Sequence, residues 1–154
     1  MKINTRVRYA IRMMADIAKH GGDEPVPLKD VADRQGLSKL YLSQLATALR
    51  NASLLRSVWG NRGGYVLARP PSQINLLDIM EAADGPVNVI ECVIEPGACD
   101  RADYCECIGV WRDINNAIVQ ILEKYTLEDL IRHGLRVPAA GGACMVAVTR
   151  GEPS

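Results

Sequence analysis

The stretch DVADRQGLSKLYLSQL, Asp30–Leu45, decides how the first half of the chain folds. Val31 and Ala32 fall on one side of a short helix, and the small side chain of Ala32 lets a neighbouring helix come close. Gly36, four residues on, permits the left-handed turn between two helices. Ser38 is placed to cap the next helix, in which Leu42, Leu45 and Leu49 recur at spacings of four and three. Two short helices crossing at such a turn form a helix-turn-helix, whose second helix enters the major groove of DNA. Its outer side would present Lys39, Tyr41, Ser43, Gln44 and Thr47, side chains that hydrogen-bond to base edges and phosphates.

The flanking segments agree with this reading. On the N-terminal side, Thr5 can cap a helix with Val7, Ala10, Ile11, Met14 and Ala18 on one face and Arg6, Arg8 and Arg12 left towards the other. His20-Gly21-Gly22 ends it, and Pro25 and Pro27 mark a loop. The second helix is expected from about Leu28 to Gln35, and the third from Ser38 to about Asn51. On the C-terminal side lies LLRSVWGNRGGYVLARPP, Leu54–Pro71. Two β-prone runs, Leu54–Trp59 and Tyr65–Ala68, flank a glycine-rich tip, which predicts a hairpin. A hairpin directly after a helix-turn-helix is a wing, with Arg62 at its tip placed for phosphate or the minor groove. A nucleotide-binding loop is excluded, because G-x-x-x-x-G-K-[ST] is absent and such a loop joins a strand to a helix.

Charge divides the chain in the same place. Residues 1–69 carry 12 Lys/Arg against 5 Asp/Glu, and residues 70–154 carry 6 against 13, so a formal net charge of zero hides halves of +7 and −7. The basic half is the candidate for a polyanionic partner. Composition, 48% hydrophobic and 23% charged over 154 residues, is that of a folded soluble domain. No apolar run approaches the roughly 20 residues that span a bilayer. Arginines interrupt the N-terminal segment where a signal peptide needs an apolar core. A reducing cytoplasm is therefore expected, where structural disulfides are rare.

In the acidic half, Asn75 can cap a helix running through Met80 to about Ala83, with Asp78 completing a capping box and Gly85-Pro86 as the stop. Trp111, Ile114, Ile118, Ile121 and Tyr125 recur at spacings of three and four, an a/d seam over two heptads. Such a seam suits either a partner helix or the chain's own core. A partner helix is preferred here, because two winged helices on a twofold axis read a palindrome. Thr126 with Asp129 forms a second capping-box pattern that starts a short helix.

Four of the five cysteines lie within Cys92–Cys107, spaced C-x₆-C-x₅-C-x-C, and Cys144 is the fifth. Structural zinc sites usually pair their cysteines more closely than this. A wide loop containing glycine and proline suits a larger iron–sulfur cluster, while zinc and redox-active thiols stay open as readings. His20 and His133 are remote in sequence from the cysteines, and no nucleophile–base pattern appears, so no catalytic residue is expected.

Arg8-Tyr9-Ala10, GLSKLYLSQL, GNRGGYVLARPP, ADGPV and the spaced cysteines followed by VWRDI together resemble the iron–sulfur-binding branch of the Rrf-two family of bacterial transcription regulators. The resemblance covers about residues 1–135. It implies a mainly α fold with a small β-hairpin wing, a winged helix-turn-helix followed by a long dimerisation helix. It further implies a cytoplasmic homodimer that binds double-stranded DNA at a palindromic operator. An iron–sulfur cluster, 2Fe–2S or 4Fe–4S, would control its affinity. Cys92, Cys99 and Cys105 are the implied metal ligands, and Lys39, Tyr41, Ser43 and Gln44 the implied recognition positions. Four positions depart from the family pattern. Ser43 stands where many relatives have Glu, and Trp59 where an arginine is common in the wing, which leaves minor-groove contact to Arg62. Ile108 replaces a histidine ligand of IscR-like members, and Arg8 a ligating acid of NsrR-like ones. Cys107, or a small molecule or thiol at an open iron, is then the fourth ligand. The expected organisation is a DNA-binding domain over 1–71, dimerisation helices over 72–135 with the cysteine loop at about 88–108, and a flexible tail over 136–154. The alternative is a cluster-free winged-helix regulator that answers to a partner protein or to thiol oxidation, or one with structural zinc at the cysteines.

Overall fold

A computed structural model describes residues 3–22 and 24–133; the expected tail at 136–154, with Cys144, lies outside the described residues. Helix α1 spans Thr5–His20, α2 Leu28–Gln35 and α3 Lys39–Asn51. Strands β1, Leu55–Val58, and β2, Gly64–Leu67, pair antiparallel with Leu55 opposite Leu67 and Val58 opposite Gly64. Then follow α4, Leu76–Asp84, a single turn α5, Glu91–Ile94, the long α6, Ile108–Lys124, and α7, Leu127–His133. This is a winged helix-turn-helix with further helices packed behind it.

Local signals account for the boundaries. Gly36 closes α2 in the left-handed conformation, at φ 62° and ψ 39°, where a side chain would be strained. Ser38 stands at the N-cap of α3 but makes no side-chain cap hydrogen bond. The N-cap of α1 is Asn4 rather than Thr5: its carboxamide oxygen accepts the Val7 N–H at 2.9 Å. Asn4 also donates to Asp84 at 2.6 Å, and Arg6 donates to the Ala83 carbonyl, so the start of α1 is fastened to the end of α4. The Asn75–Asp78 capping box forms, and Thr126 and Asp129 exchange equivalent bonds of 3.2 and 2.8 Å.

The wing is anchored on its outer side as well. Val26 and Tyr65 exchange two backbone hydrogen bonds of 2.9 Å, so the loop before α2 lies along β2. A Cβ on Gly64 would sit 2.4 Å from the Val26 carbonyl, which is why glycine is required there.

One core runs through these elements. Met13, Met14 and Ile17 of α1 meet Leu42, Leu45 and Leu49 of α3, with Leu54, Ile74, Ile79 and Leu127 completing it. Each fully buried Leu, Ile or Met contributes about 1.5–3 kcal/mol. Val7, Ala10 and Met14 are buried as their spacing predicts, whereas Ile11 and Ala18 are only half-buried and Met13 and Ile17 take the central places. No helix among the described residues is long and apolar enough to cross a membrane.

Candidate nucleic-acid interface and cysteine loop

On α3, burial of Leu42, Leu45, Ala46 and Leu49 turns Lys39, Ser43, Gln44 and Thr47 to the surface. The Thr47 hydroxyl donates to the Ser43 carbonyl at 3.0 Å, which is compatible with the helix and leaves the Gln44 carboxamide outward. Tyr41 lies on the flank of the helix instead. It is half-buried and meets Tyr9 edge-on, with ring centres 5.9 Å apart at 88°, while the Arg12 guanidinium stands 5.5 Å from the Tyr9 ring. Two apolar side chains that sequence reasoning left out of the surface are also exposed: Leu40 at 73% and Trp59 at 91%. Drawing α3 as a wheel identifies Leu40 at once, since it falls opposite Leu42, Leu45 and Leu49. Arg62 is exposed at the wing tip and borders a cavity of about 570 Å³ shared with His20, Glu24, Asp30 and Arg34.

A buried carboxylate fixes the pose of the helix-turn-helix. Asp16, on the inner side of α1, accepts three hydrogen bonds from Arg34, the shortest 2.6 Å, and one of 2.8 Å from Gln35. Arg12 donates to the side chain and the carbonyl of Gln35 at 3.0 and 2.6 Å. Burial pushes the Asp16 carboxyl up, but the hydrogen bonds and charge of Arg34 and the hydrogen bond of Gln35 outweigh it and hold it below its ordinary 3.8. The bond to Asp16 in turn raises Arg34. α2 is thereby held to α1 by a charge-assisted pair as well as by apolar contact. The signal in the sequence was an acid among the apolar positions Met13, Met14 and Ile17.

The cysteines stand on a different kind of structure. Cys92 lies in the single turn α5, Cys99 follows a 3₁₀ turn at Pro96–Ala98, Cys105 follows another at Ala102–Tyr104, and Cys107 is the N-cap residue of α6. All four carry free thiols; Cys92 and Cys105 are half-buried, and Cys99 and Cys107 are exposed. Cys92 and Cys99 share the wall of a cavity of about 580 Å³ with Ile3, Asn4 and Val7 at the start of α1, so this wall joins the loop to α1. Among the described residues no three His, Cys, Asp or Glu side chains are gathered closely enough to hold a metal ion. The donor set itself, soft thiolates on a wide loop, fits an iron–sulfur cluster or zinc. The arrangement brings Cys92 and Cys99 to one wall and leaves Cys105 and Cys107 at the mouth of α6.

Just before the cysteines, the Val89 N–H donates to the Asn115 carboxamide oxygen at 3.0 Å. Asn115 is the buried residue of α6, and nothing in the sequence distinguished it from Asn116. The seam expected on α6 divides. Ile118 packs with Leu122 against the core, whereas Trp111, Ile114 and Ile121 remain exposed at 39%, 39% and 56%. Tyr125 falls just beyond the helix end, and its carbonyl accepts the Leu76 N–H at 2.9 Å.

Residues 3–133 match the family model described as Rrf2, iron-dependent transcriptional regulator. The HTH-type transcriptional regulator IscR of Xenorhabdus nematophila is 37% identical over 133 residues, covering 86% of this chain and 80% of that protein. Among solved structures, CymR, the global cysteine regulator of B. subtilis, is similar with a TM-score of 0.72 at 36% identity, over 86% of this chain and 98% of that one. The IscR structure from T. potens is similar with a TM-score of 0.72 at 34% identity, over 92% and 94%.

Proposed function

The chain belongs to the Rrf2 family of winged-helix transcriptional regulators, and from that premise we propose that an iron–sulfur cluster held on its cysteine loop sets its affinity for DNA. It acts as a homodimer on a palindromic operator. Lys39, Ser43 and Gln44 face the major groove, Tyr41 braces the flank of the helix, and Arg62 reaches for the backbone or minor groove. The exposed stripe of Trp111, Ile114 and Ile121, extended by Tyr125, meets its counterpart on the second copy. Residues 1–71 form the DNA-binding part and 72–135 the dimerisation part.

Cys92, Cys99 and Cys105 hold the cluster, with Cys107, or a small molecule at an open iron, as fourth ligand. When bound, the cluster supplies a redox-active group that iron supply, nitric oxide or oxygen can alter. What the chain itself contributes is mechanical. Drawing Cys105 and Cys107 towards Cys92 and Cys99 pulls on the start of α6. It also acts on the wall shared with Asn4 and Val7, and α1 in turn carries the Asp16 clamp on α2. A change at the loop therefore bears on the pose of both recognition helices.

The single observation that carries this reading is the junction of a basic winged helix with a coreless loop bearing four free thiols. The test is the ultraviolet–visible spectrum of anaerobically purified protein, with iron, sulfide and zinc analysed on the same sample. The expected result is a brown protein with near-equal iron and sulfide, bleached by Cys92→Ala, Cys99→Ala or Cys105→Ala. One zinc per chain in a colourless protein would make the loop a structural clasp and end the sensing mechanism.

A second reading is favoured by the likeness to CymR. The regulator then works without a cluster, through a partner protein or oxidation of its exposed thiols. Full operator binding by the metal-free protein, unchanged by the three substitutions, selects it.

A further inference from the structure

We infer that Leu40 reads thymine, by apolar contact with the 5-methyl group in the major groove; the inference rests on the DNA-binding reading above and deepens it. Leu40 is 73% exposed in the first turn of α3 and lies opposite the buried row of Leu42, Leu45 and Leu49. Ser43, Gln44 and Thr47, which follow it at helical spacings of three, four and seven, are all exposed and all polar.

A lone exposed leucine is ordinary on a protein surface. Its position here is not arbitrary. The first turn of a recognition helix is the part that approaches base edges. Every other outward residue on it can hydrogen-bond, and Leu40 can neither donate nor accept. The base edges in the major groove offer one apolar group, the thymine methyl. A second observation points to the same surface. Among described residues 3–71, the large exposed apolar side chains are Ile3, Leu40, Val58 and Trp59, and all but Ile3 belong to the recognition helix or to the last residue of β1 and the one after it in the wing. In the half of the chain that carries +7, exposed apolar surface is thus concentrated where DNA would lie. A protein partner would use the same apolar surface without regard to thymine, which is what the experiment separates.

The purified full chain, with its iron content measured, selects binding sites from a pool of random duplex DNA. In the selected duplex each thymine is then replaced singly by deoxyuridine, which keeps the hydrogen-bonding edge and removes only the methyl. Wild-type protein should lose about fourfold in affinity at one position per half-site, the worth of about one buried methyl-sized group. Leu40→Ala should bind the thymine and deoxyuridine duplexes equally, whereas Leu40→Met should keep most of the difference. Leu40 is exposed, so unchanged circular dichroism and melting of both variants is expected. If the selected site has no deoxyuridine-sensitive position, or if L40A keeps the wild-type sensitivity, the assignment of Leu40 is overturned and DNA binding stands. Self-association lost in L40A with an unchanged thymine-to-deoxyuridine ratio overturns it in favour of a protein contact. Retention of no duplex, with or without metal, overturns the DNA-binding reading and this inference together.

Discussion

From Val7 to Val87, each of the helices α1 to α4 buries apolar side chains, with a gap only across the wing between Leu55 and Ile74; from Asn88 to Ile114, no described side chain is buried. The first region is held together by burial, because Met13, Leu42, Leu45, Ile79 and their neighbours, with Leu127 of α7, offset the entropy of ordering its helices. The second region has three turns of three or four residues, exposed acids and four thiols, and too little apolar contact to hold one shape by itself. Where a segment lacks a core, ligation or a partner usually supplies what burial does not. Under the function proposed above, the difference separates two tasks: a DNA-binding half kept rigid, with α1, α2 and α3 in fixed relation, and a cysteine half able to change when its chemistry changes.

The comparison breaks most visibly in the core. Leu45→Ala removes a fully buried side chain from the contact of α3 with α1 and α4, and should cost about 3 kcal/mol of unfolding free energy. Urea denaturation of the metal-free protein measures it. A loss under about 1 kcal/mol would mean that the core is not what stabilises the first region.

Asp16→Ala comes next. It leaves Arg34 and Gln35 without their acceptor, but the Arg34 side chain is 34% exposed and water screens the loss, so about 2 kcal/mol is expected rather than the cost of a wholly buried pair. Its pH dependence is specific. The folded-state pKa lies below the unfolded one, so the stabilisation is complete above about pH 4 and disappears as pH falls through the folded value. Melting temperature followed from neutral pH to pH 2 should drop more steeply in the wild type than in Asp16→Ala. Parallel curves would remove Asp16 as the clamp.

The same division explains what could be read from the sequence. α2 and α3 were legible almost to the residue, because Gly36 and the leucine spacing are local signals. The start of α1 was displaced by one residue, since Asn4 and Thr5 are both good caps and periodicity does not choose between them. The partners of Asp16 were hidden, because Arg34 and Gln35 lie 18 and 19 residues away and only the folded crossing of α1 and α2 brings them together. The a/d spacing on α6 was visible, but a heptad does not say which side each residue faces. Ile118 went to the core, and Trp111, Ile114 and Ile121 stayed outside. In the cysteine loop the spacing named only candidate donors. Their arrangement depends on no apolar pattern, so none could forecast it.

The smallest effect expected is at the joint between the two regions. Asn115 is 7% exposed and holds the Val89 N–H, three residues before Cys92, so it ties the coreless loop to α6 by a buried polar contact. Val89 is only half-buried, and water can replace the lost acceptor, so Asn115→Ala should cost about 1 kcal/mol globally. The informative consequence is local. Amide exchange at Val89 and the turn after it should quicken, while α1 and α3 change only by the global amount. Unchanged exchange at Val89 would show that the loop is held by something other than Asn115. A global loss near that of Leu45→Ala would show that the loop belongs to the core after all, and the distinction between a rigid half and a responsive half would fail. With the expected outcome, Asn115 is a weak tether, firm enough to pass a displacement at the cysteines to α6 and loose enough to let the loop rearrange.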